Sequence, residues 1–415
     1  MVEYRPRNVE IAIQTRIAHH AALLIVGPRA SGKTTTAARF ATTVLRLDDP
    51  SVASAIRAAP DAVLAELAEP ILIDEWQYVP EVLGAVKRTI DADPRAGRFL
   101  ITGSARADLD ASSWPGTGRL IRVPMHGLTV AEMEGRATGR PLIDLLAEEG
   151  VAPLEVADDP ALDIRGYIDL ILTSGFPEPA LRLPVDERAT WLESYVEQLL
   201  VHDVGDRVGR RDPERLRRFL EAYAANTAGV VEKKTLYRAA GVAKATGEAY
   251  EILLNDLLLV EVLPAWWSNR LKRLARSPKR HVGDPALAAA TLGVDRSGLL
   301  TNGDLLGRLL ETFVVAQLRG QLAACTTRPR MYHLRQDGGR REVDLIIEYG
   351  GGKVFALEVK AGNAPTRHDA RHLRWLSEEL GTRFLGGAVL HTGPRAFHLD
   401  ERIVASPIST LWSAR

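Results

Sequence analysis

The run Gly27-Pro28-Arg29-Ala30-Ser31-Gly32-Lys33-Thr34 follows the apolar stretch 21–26 and fits the phosphate-loop pattern G-x-x-x-x-G-K-[ST]. It predicts a strand before the loop and a helix after it. Two glycines let the backbone curl so that successive N–H groups point at one phosphate, and the helix opening at Gly32 turns its positive end toward the same anion. Lys33 is placed to reach the β- and γ-phosphates and the Thr34 hydroxyl to ligate Mg²⁺. Residues 27–35, ending at Thr35, form the candidate nucleotide-binding set, and ATP or GTP is the expected ligand. The competing reading is a chance match in a glycine-bearing turn; the strands downstream argue against it.

The first of these, Ile71-Leu72-Ile73-Asp74-Glu75, is an apolar run that ends in two carboxylates, as a buried parallel strand does on reaching an active-site edge. Asp74 is the candidate to hold Mg²⁺ through water, and Glu75 to polarise the water that attacks the γ-phosphate. A solvated turn would read the same way in isolation. A further apolar strand, Phe99-Leu100-Ile101-Thr102-Gly103-Ser104, makes Thr102 and Ser104 candidates to sense the γ-phosphate or orient the water, although such a hydroxyl also suits a helix cap. Arg119 and Arg106, the cations nearest the active edge of this strand, are the candidate fingers for transition-state charge.

The stretch 74–81 with Lys87, the strand 100–104, Gly118-Arg119 and residues 124–132 together resemble the bacterial and archaeal AAA-type ATPases that carry a C-terminal DUF4143 domain. The likeness continues through Ser174-Gly175-Phe176-Pro177-Glu178, Tyr195 with Asp203, Ser277-Pro278-Lys279, residues 310–314, Glu342-Val343-Asp344 and Glu358-Val359-Lys360. The resemblance implies an AAA+ lobe close to the signal-transducing branch, with ATP as the nucleotide, Mg²⁺ as its ion and Arg119, in the matched Gly118-Arg119, as the preferred finger.

Balanced charge, 53 basic against 53 acidic residues in 415, excludes a global basic field, so any nucleic-acid contact must come from a local patch. The single Cys325 excludes an intramolecular disulfide framework. The start of the chain is charged, and nowhere is there an apolar run of about 18 residues; no membrane partner and a cytoplasmic location are expected. The sequence leaves the oligomeric state open.

Alternating strands and helices over 1–131 predict a parallel P-loop NTPase sheet, α/β in class, followed by a helical lid over 132–212. Residues 213–292 read as a winged helix. Its hairpin loop, with Lys279 and Arg280, places six cations within 270–280 beside Trp266 and Trp267, a cluster suited to a phosphate backbone and so to DNA. Against that, the would-be recognition helix carries Glu248, Glu251 and Asp256 with only Lys244 as a cation, and a winged helix also serves as an internal lever. Residues 293–415 read as an α/β restriction-endonuclease-like, PD-(D/E)xK domain. Strand alternation lets Asp344, Glu358 and Lys360 converge, with Glu311 completing a second metal shell. The alternative is a degenerate nuclease fold kept to dock DNA or a protein partner, its charges spent on salt bridges.

Overall fold

The computed structural model describes residues 4–104, 117–137, 139–155, 162–200, 212–268 and 277–413. Five strands form the N-terminal sheet: β1 (Ala22–Gly27), β2 (Thr43–Arg46), β3 (Ile71–Asp74), β4 (Phe99–Ser104) and β5 (Leu120–Pro124). All neighbours are parallel, in the order β2-β3-β4-β1-β5. The central strands are apolar throughout because both faces are covered. Leu24, Ile71, Ile73 and Ile101 pack against Val82, Val86 and Ile90 of the helix Val82–Ala92. Leu23, Ile25, Leu72 and Leu100, one residue out of phase, pack against Val9 and Ile13 of the helix Asn8–Ile17. Each such side chain contributes about 1.5–3 kcal/mol by leaving water. β1 lies between β4 and β5, so the loop 27–32 emerges between those strands, at the carboxyl end where open α/β sheets bind ligands.

After the short helix Val130–Met133 come four more among the described residues: Leu142–Glu149, Ile164–Thr173, Pro177–Leu181 and Val185–Gln198. The first of these four belongs with the far end of the chain instead of a lid. Asp144 accepts hydrogen bonds from the N–H and hydroxyl groups of Thr326 and Thr327, and Tyr349 Oη donates to Ile143 O at 2.8 Å. The reason is its apolar face: Leu142, Ile143 and Leu146 share one core with Leu345, Ile347 and Leu390.

Beyond residue 212 come the helices Pro213–Ala225, Lys233–Ala239 and Lys244–Asp256, then an antiparallel ribbon of β6 (Val260–Leu263) and β7 (Lys279–Val282). Phe219 sits within 6.3 Å, centroid to centroid, of Tyr223, Tyr237 and Tyr250. A glycine is required inside the third helix, since a Cβ on Gly247 would stand 2.3 Å from the Tyr237 ring. The chain continues through the helices Pro285–Thr291 and Gly303–Leu322 into a second sheet.

That sheet comprises β8 (Arg330–Gln336), β9 (Arg341–Glu348), β10 (Val354–Lys360), β11 (Phe384–His391), β12 (Phe397–Asp400) and β13 (Ile403–Pro407), ordered β12-β13-β11-β10-β9-β8. β8, β9 and β10 form an antiparallel meander, while β10, β11 and β13 are parallel. The helix Gly303–Leu322 packs on one face, and Arg371–Leu380, through Leu373, Leu376 and Leu380, on the other. One hydrophobic cluster includes residues from Val130 to Trp412 and joins the helices after the first sheet to one face of the second, while a separate cluster with Leu373, Leu376 and Leu380 covers the other face.

Candidate functional site

The phosphate loop is shaped by close approach. A Cβ on Gly27 would stand 2.3 Å from Met125 O, and Gly32 has φ +91°, a left-handed conformation that glycine adopts at no steric cost. Lys33 opens the helix Lys33–Ala38; its ammonium donates to Gly27 O at 3.1 Å and Pro28 O at 2.7 Å, across the mouth of the loop. Burial pushes the Lys33 pKa down to about 8, against the pull of Glu75 and Asp74.

Three chain segments converge beside it. Thr34 Oγ1 donates to Asp74 Oδ1 at 2.7 Å, and Thr102 Oγ1, from β4, donates to the same oxygen at 2.5 Å. Asp74 is 3 % exposed, so this one carboxylate oxygen is held in a dry position by two hydroxyls. Glu75, the next residue, has φ 53° and ψ 46°, a left-handed conformation that is uncommon for a side chain of this size and is found where a site holds a residue in place. The Gln77 side-chain amide donates to Glu75 Oε2. Gln77 and Trp76 lie so close to β4 that a Cβ on Gly103 would stand 2.7 Å from Gln77 Oε1. Sequence reading missed Gln77, whose only signal is its place two residues after the carboxylate pair.

Two further side chains lock the loop from outside. Arg7 donates to Ser31 O at 3.0 Å and His126 O at 2.7 Å, and pairs with Glu132 at 3.3 Å. Tyr195 Oη, from the helix Val185–Gln198, donates to Arg29 O at 3.1 Å. Beside the loop lies a cavity of about 170 Å³ lined by Tyr4, Arg7, Gly32, Thr35, Thr36 and Arg182, among others.

Arg119 is not part of this site, which corrects the finger assignment. β5 runs parallel to β1 with Leu120 opposite Ala22 and Pro124 opposite Val26, so Arg119 stands at the edge of the sheet remote from the loop. There it forms a 2.5 Å ion pair with Asp91 at the end of the helix Val82–Ala92. Nearness in sequence to the end of β4 misled, because β5 begins at the edge of the sheet opposite to the one where β4 ends. Arg119→Ala should therefore leave any ATP turnover within a few-fold of the parent, measured as steady-state phosphate release; a loss beyond tenfold would restore the finger. The side chain of Ser104, and Arg106 and Asp203 altogether, lie outside the described residues.

The second candidate constellation is brought together, but not around a metal-shaped space. Asp344 on β9 and Glu311 on the helix Gly303–Leu322 both face Lys279 of β7, and Lys360 on β10 pairs with Glu358 at 2.9 Å. Burial raises Glu358 well above the carboxylate range, with Asp344 adding to it; Asp344 is held low, at about 2, because Lys279 and Lys360 outweigh its own burial. No group of three or more His, Cys, Asp or Glu among the described residues is arranged to hold a metal ion, which corrects the assignment of Glu311, Asp344, Glu358 and Lys360 to a second metal shell.

The basic ribbon is corrected in part. Lys279 and Arg280 are 1 % and 4 % exposed, and Arg280 pairs with Glu251 at 3.4 Å and donates to Val231 O, so neither is free to meet phosphate. Trp266 is buried as well. Residues 269–276, which carry Arg270, Lys272, Arg273 and Arg276, lie outside the described residues.

Residues 19–134 match the model of an AAA domain family, and residues 306–411 match a domain of unknown function, DUF4143. The chain thus pairs an N-terminal AAA-type domain with a C-terminal DUF4143 domain. Between the two, residues 164–298 match a second domain of unknown function, DUF8612, which spans the point where sequence reading separated a lid from a winged helix. The chain is 28% identical over 404 residues to the uncharacterized protein Rv2008c of Mycobacterium tuberculosis, and equally to Mb2031c of Mycobacterium bovis; each match covers 96% of this chain and 83% of the relative. Among solved structures, similarity extends to the Walker-type ATPase PABY2304 of Pyrococcus abyssi, at 13% identity and TM-score 0.40 over 70% of this chain and 99% of that one. The Aeropyrum pernix ORC1 protein in complex with DNA is also matched, at 13% identity and TM-score 0.29 over 70% of this chain and 93% of that one. The parallel sheet, its phosphate loop and the AAA match define a P-loop NTPase-like α/β domain. No helix among the described residues is long and apolar enough to cross a membrane.

Proposed function

We propose that this chain is a Mg²⁺-dependent, ATP-hydrolysing switch whose nucleotide state is passed to the DUF8612 and DUF4143 regions. The observation that carries the reading is the convergence of Lys33, the Thr34–Asp74–Thr102 hydrogen bonds and Glu75 with its Gln77 partner at one point of the sheet edge. Thr34 and Asp74, an oxygen pair 2.7 Å apart, fit a hard cation that prefers oxygen ligands and would be the residues to hold Mg²⁺. When bound, the ion neutralises charge on the β- and γ-phosphates. Glu75 then acts as general base on the attacking water, with Gln77 fixing the direction of its carboxylate. The cavity at Tyr4, Thr35, Thr36 and Arg182 is the candidate pocket for the adenosine end.

Transmission would run through the groups that touch the loop. Arg7 links Ser31 O to His126 O, His126 Nδ1 lies 3.3 Å from Glu261 on β6, and Glu261 also pairs with Arg319 of the helix Gly303–Leu322. Val130 N–H donates to Gln317 on the same helix at 2.8 Å. A loop displaced by γ-phosphate therefore has direct polar contacts toward both C-terminal regions. Turnover of ATP measured with Mg²⁺, with chelator, and with and without DNA tests this reading; no Mg²⁺-dependent phosphate release under any of these conditions would sink it.

A second reading, favoured over an ATP-gated nuclease by the ion pairs on Glu311, Asp344 and Glu358, makes the C-terminal lobe a docking module for DNA or a protein partner. If DNA is the partner, the winged-helix-like region meets it through Arg270, Lys272, Arg273 and Arg276. Replacing Arg270, Lys272 and Arg273 with Ala should weaken binding to unrelated duplexes equally and flatten the log–log salt slope by up to about 2.7, at about 0.9 per phosphate contact. Fluorescence anisotropy at several salt concentrations reads both, and a loss confined to one sequence would contradict non-specific backbone binding.

A further inference from the structure

A PD-(D/E)xK-type lobe with Glu311, Asp344, Glu358 and Lys360 implies a divalent ion among its carboxylates, yet the residues present do not fit one. Lys279 Nζ lies 2.7 Å from Glu311 Oε1 and 3.1 Å from Asp344 Oδ1, so an ammonium group fills the space on which these carboxylates converge. The other Asp344 oxygen is committed too, accepting Val359 N–H at 3.0 Å, and Glu358 Oε2 accepts from Lys360 at 2.9 Å. Lys279 is 1 % exposed. A buried ammonium is stable only with its charge compensated, and two carboxylates supply that compensation.

The ribbon's own anchoring explains how the lysine gets there. Just before residue 269 and just after 276, the chain is attached to the edge strand of the C-terminal sheet. Trp266 N–H donates to His333 O at 2.6 Å, and His333 N–H donates to Pro264 O at 3.0 Å. Trp266 Nε1 donates to Glu348 at 3.2 Å, and His333 Nε2 stands 3.2 Å from Ser277 O. With Ser277 fixed against β8, the Lys279 side chain two residues on extends to β9 and to the helix Gly303–Leu322, where Asp344 and Glu311 meet it.

We propose that Lys279 is the resident cation of this cluster, so that the C-terminal lobe grips the chain's own β6–β7 ribbon at the position where a nuclease of this fold would hold a divalent ion. The lysine is then both the reason the lobe is not a metal site and the joint between the two regions. It also gives the Ser277-Pro278-Lys279 motif a role that phosphate binding does not, since this lysine is sealed from solvent.

The full-length chain tests this without nucleotide. Mn²⁺ binding, followed by electron paramagnetic resonance, should show no component in the parent that Asp344→Asn removes. Lys279→Met keeps the unbranched stem, one atom shorter, and deletes the charge. It should melt well below the parent and gain Mn²⁺ binding that a second change, Asp344→Asn, abolishes. That same double variant should recover part of the melting temperature, because it removes the charge that Lys279→Met leaves uncompensated. Asp344-dependent Mn²⁺ binding by the parent would overturn the proposal, as would a folded Lys279→Met that gains no Mn²⁺. Should Lys279→Met alone fail to fold, the double variant decides: a folded double variant supports the ion pair, and an unfolded one overturns it.

Discussion

Glu75→Gln is expected to bind ATP as the parent does while hydrolysing it about a hundredfold more slowly, the size of effect that loss of a general base typically brings. The substitution keeps the side-chain volume and the contact with Gln77, leaves Asp74 bonded to Thr34 and Thr102, and removes only the charge that draws a proton from water. Lys33→Ala should act earlier. It deletes the one cation of the loop whose ammonium is already poised at the phosphate position, against Gly27 O and Pro28 O, so binding itself should fall below detection. Equilibrium binding of a fluorescent ATP analogue and steady-state phosphate release separate the two phenotypes. Parent-like turnover in Glu75→Gln would place the base elsewhere, and parent-like affinity in Lys33→Ala would remove the loop from the nucleotide site.

The ATP-binding half was legible because its chemistry is local. A glycine-rich loop, a strand ending in two carboxylates and a strand ending in hydroxyls each announce themselves within eight residues, and a parallel sheet brings the ends of adjacent strands together. Thr34, Asp74 and Thr102 meet for that reason alone. What escaped was set by chain direction and by long-range contacts. Arg119 follows the end of β4 closely in sequence yet stands at the remote edge, because β5 must run parallel to β1. Lys279 and Arg280 read as surface cations in a basic run, and only the anchoring of Trp266 and His333 reveals that the ribbon is turned inward. The helix Leu142–Glu149 follows the first sheet in sequence and would suit a lid, but Asp144 is held by Thr326 and Thr327, some 180 residues later. No spacing rule reports a bond of that span.

Arg7 is the side chain that no motif marked, and its loss should cost more stability than that of any exposed cation in the chain. It is 5 % exposed, and its guanidinium is divided among Ser31 O at 3.0 Å, His126 O at 2.7 Å and the Glu132 carboxylate at 3.3 Å. Glu132, 2 % exposed, also accepts the N–H groups of Asn8 and Thr129 at 2.7 Å each. Arg7→Met keeps the apolar stem but leaves a buried carboxylate without its cation and two carbonyls without a donor. Breaking a buried pair from one side typically costs about 3–5 kcal/mol, where an exposed pair such as Arg182–Glu178 is worth at most about 1 kcal/mol. Urea unfolding of the full chain should show that loss, and adding Glu132→Gln should recover only part of it: the change removes the uncompensated charge, but an amide has a single accepting oxygen, so only one of the Asn8 and Thr129 N–H groups, which bond Oε1 and Oε2 separately, keeps its acceptor. The same variant should weaken ATP binding, since Ser31 belongs to the loop that would wrap the phosphates and Arg7 fixes its carbonyl from outside. An Arg7→Met protein within about 1 kcal/mol of the parent would show that Glu132 is satisfied by its backbone donors alone, and that the loop keeps its shape without the arginine.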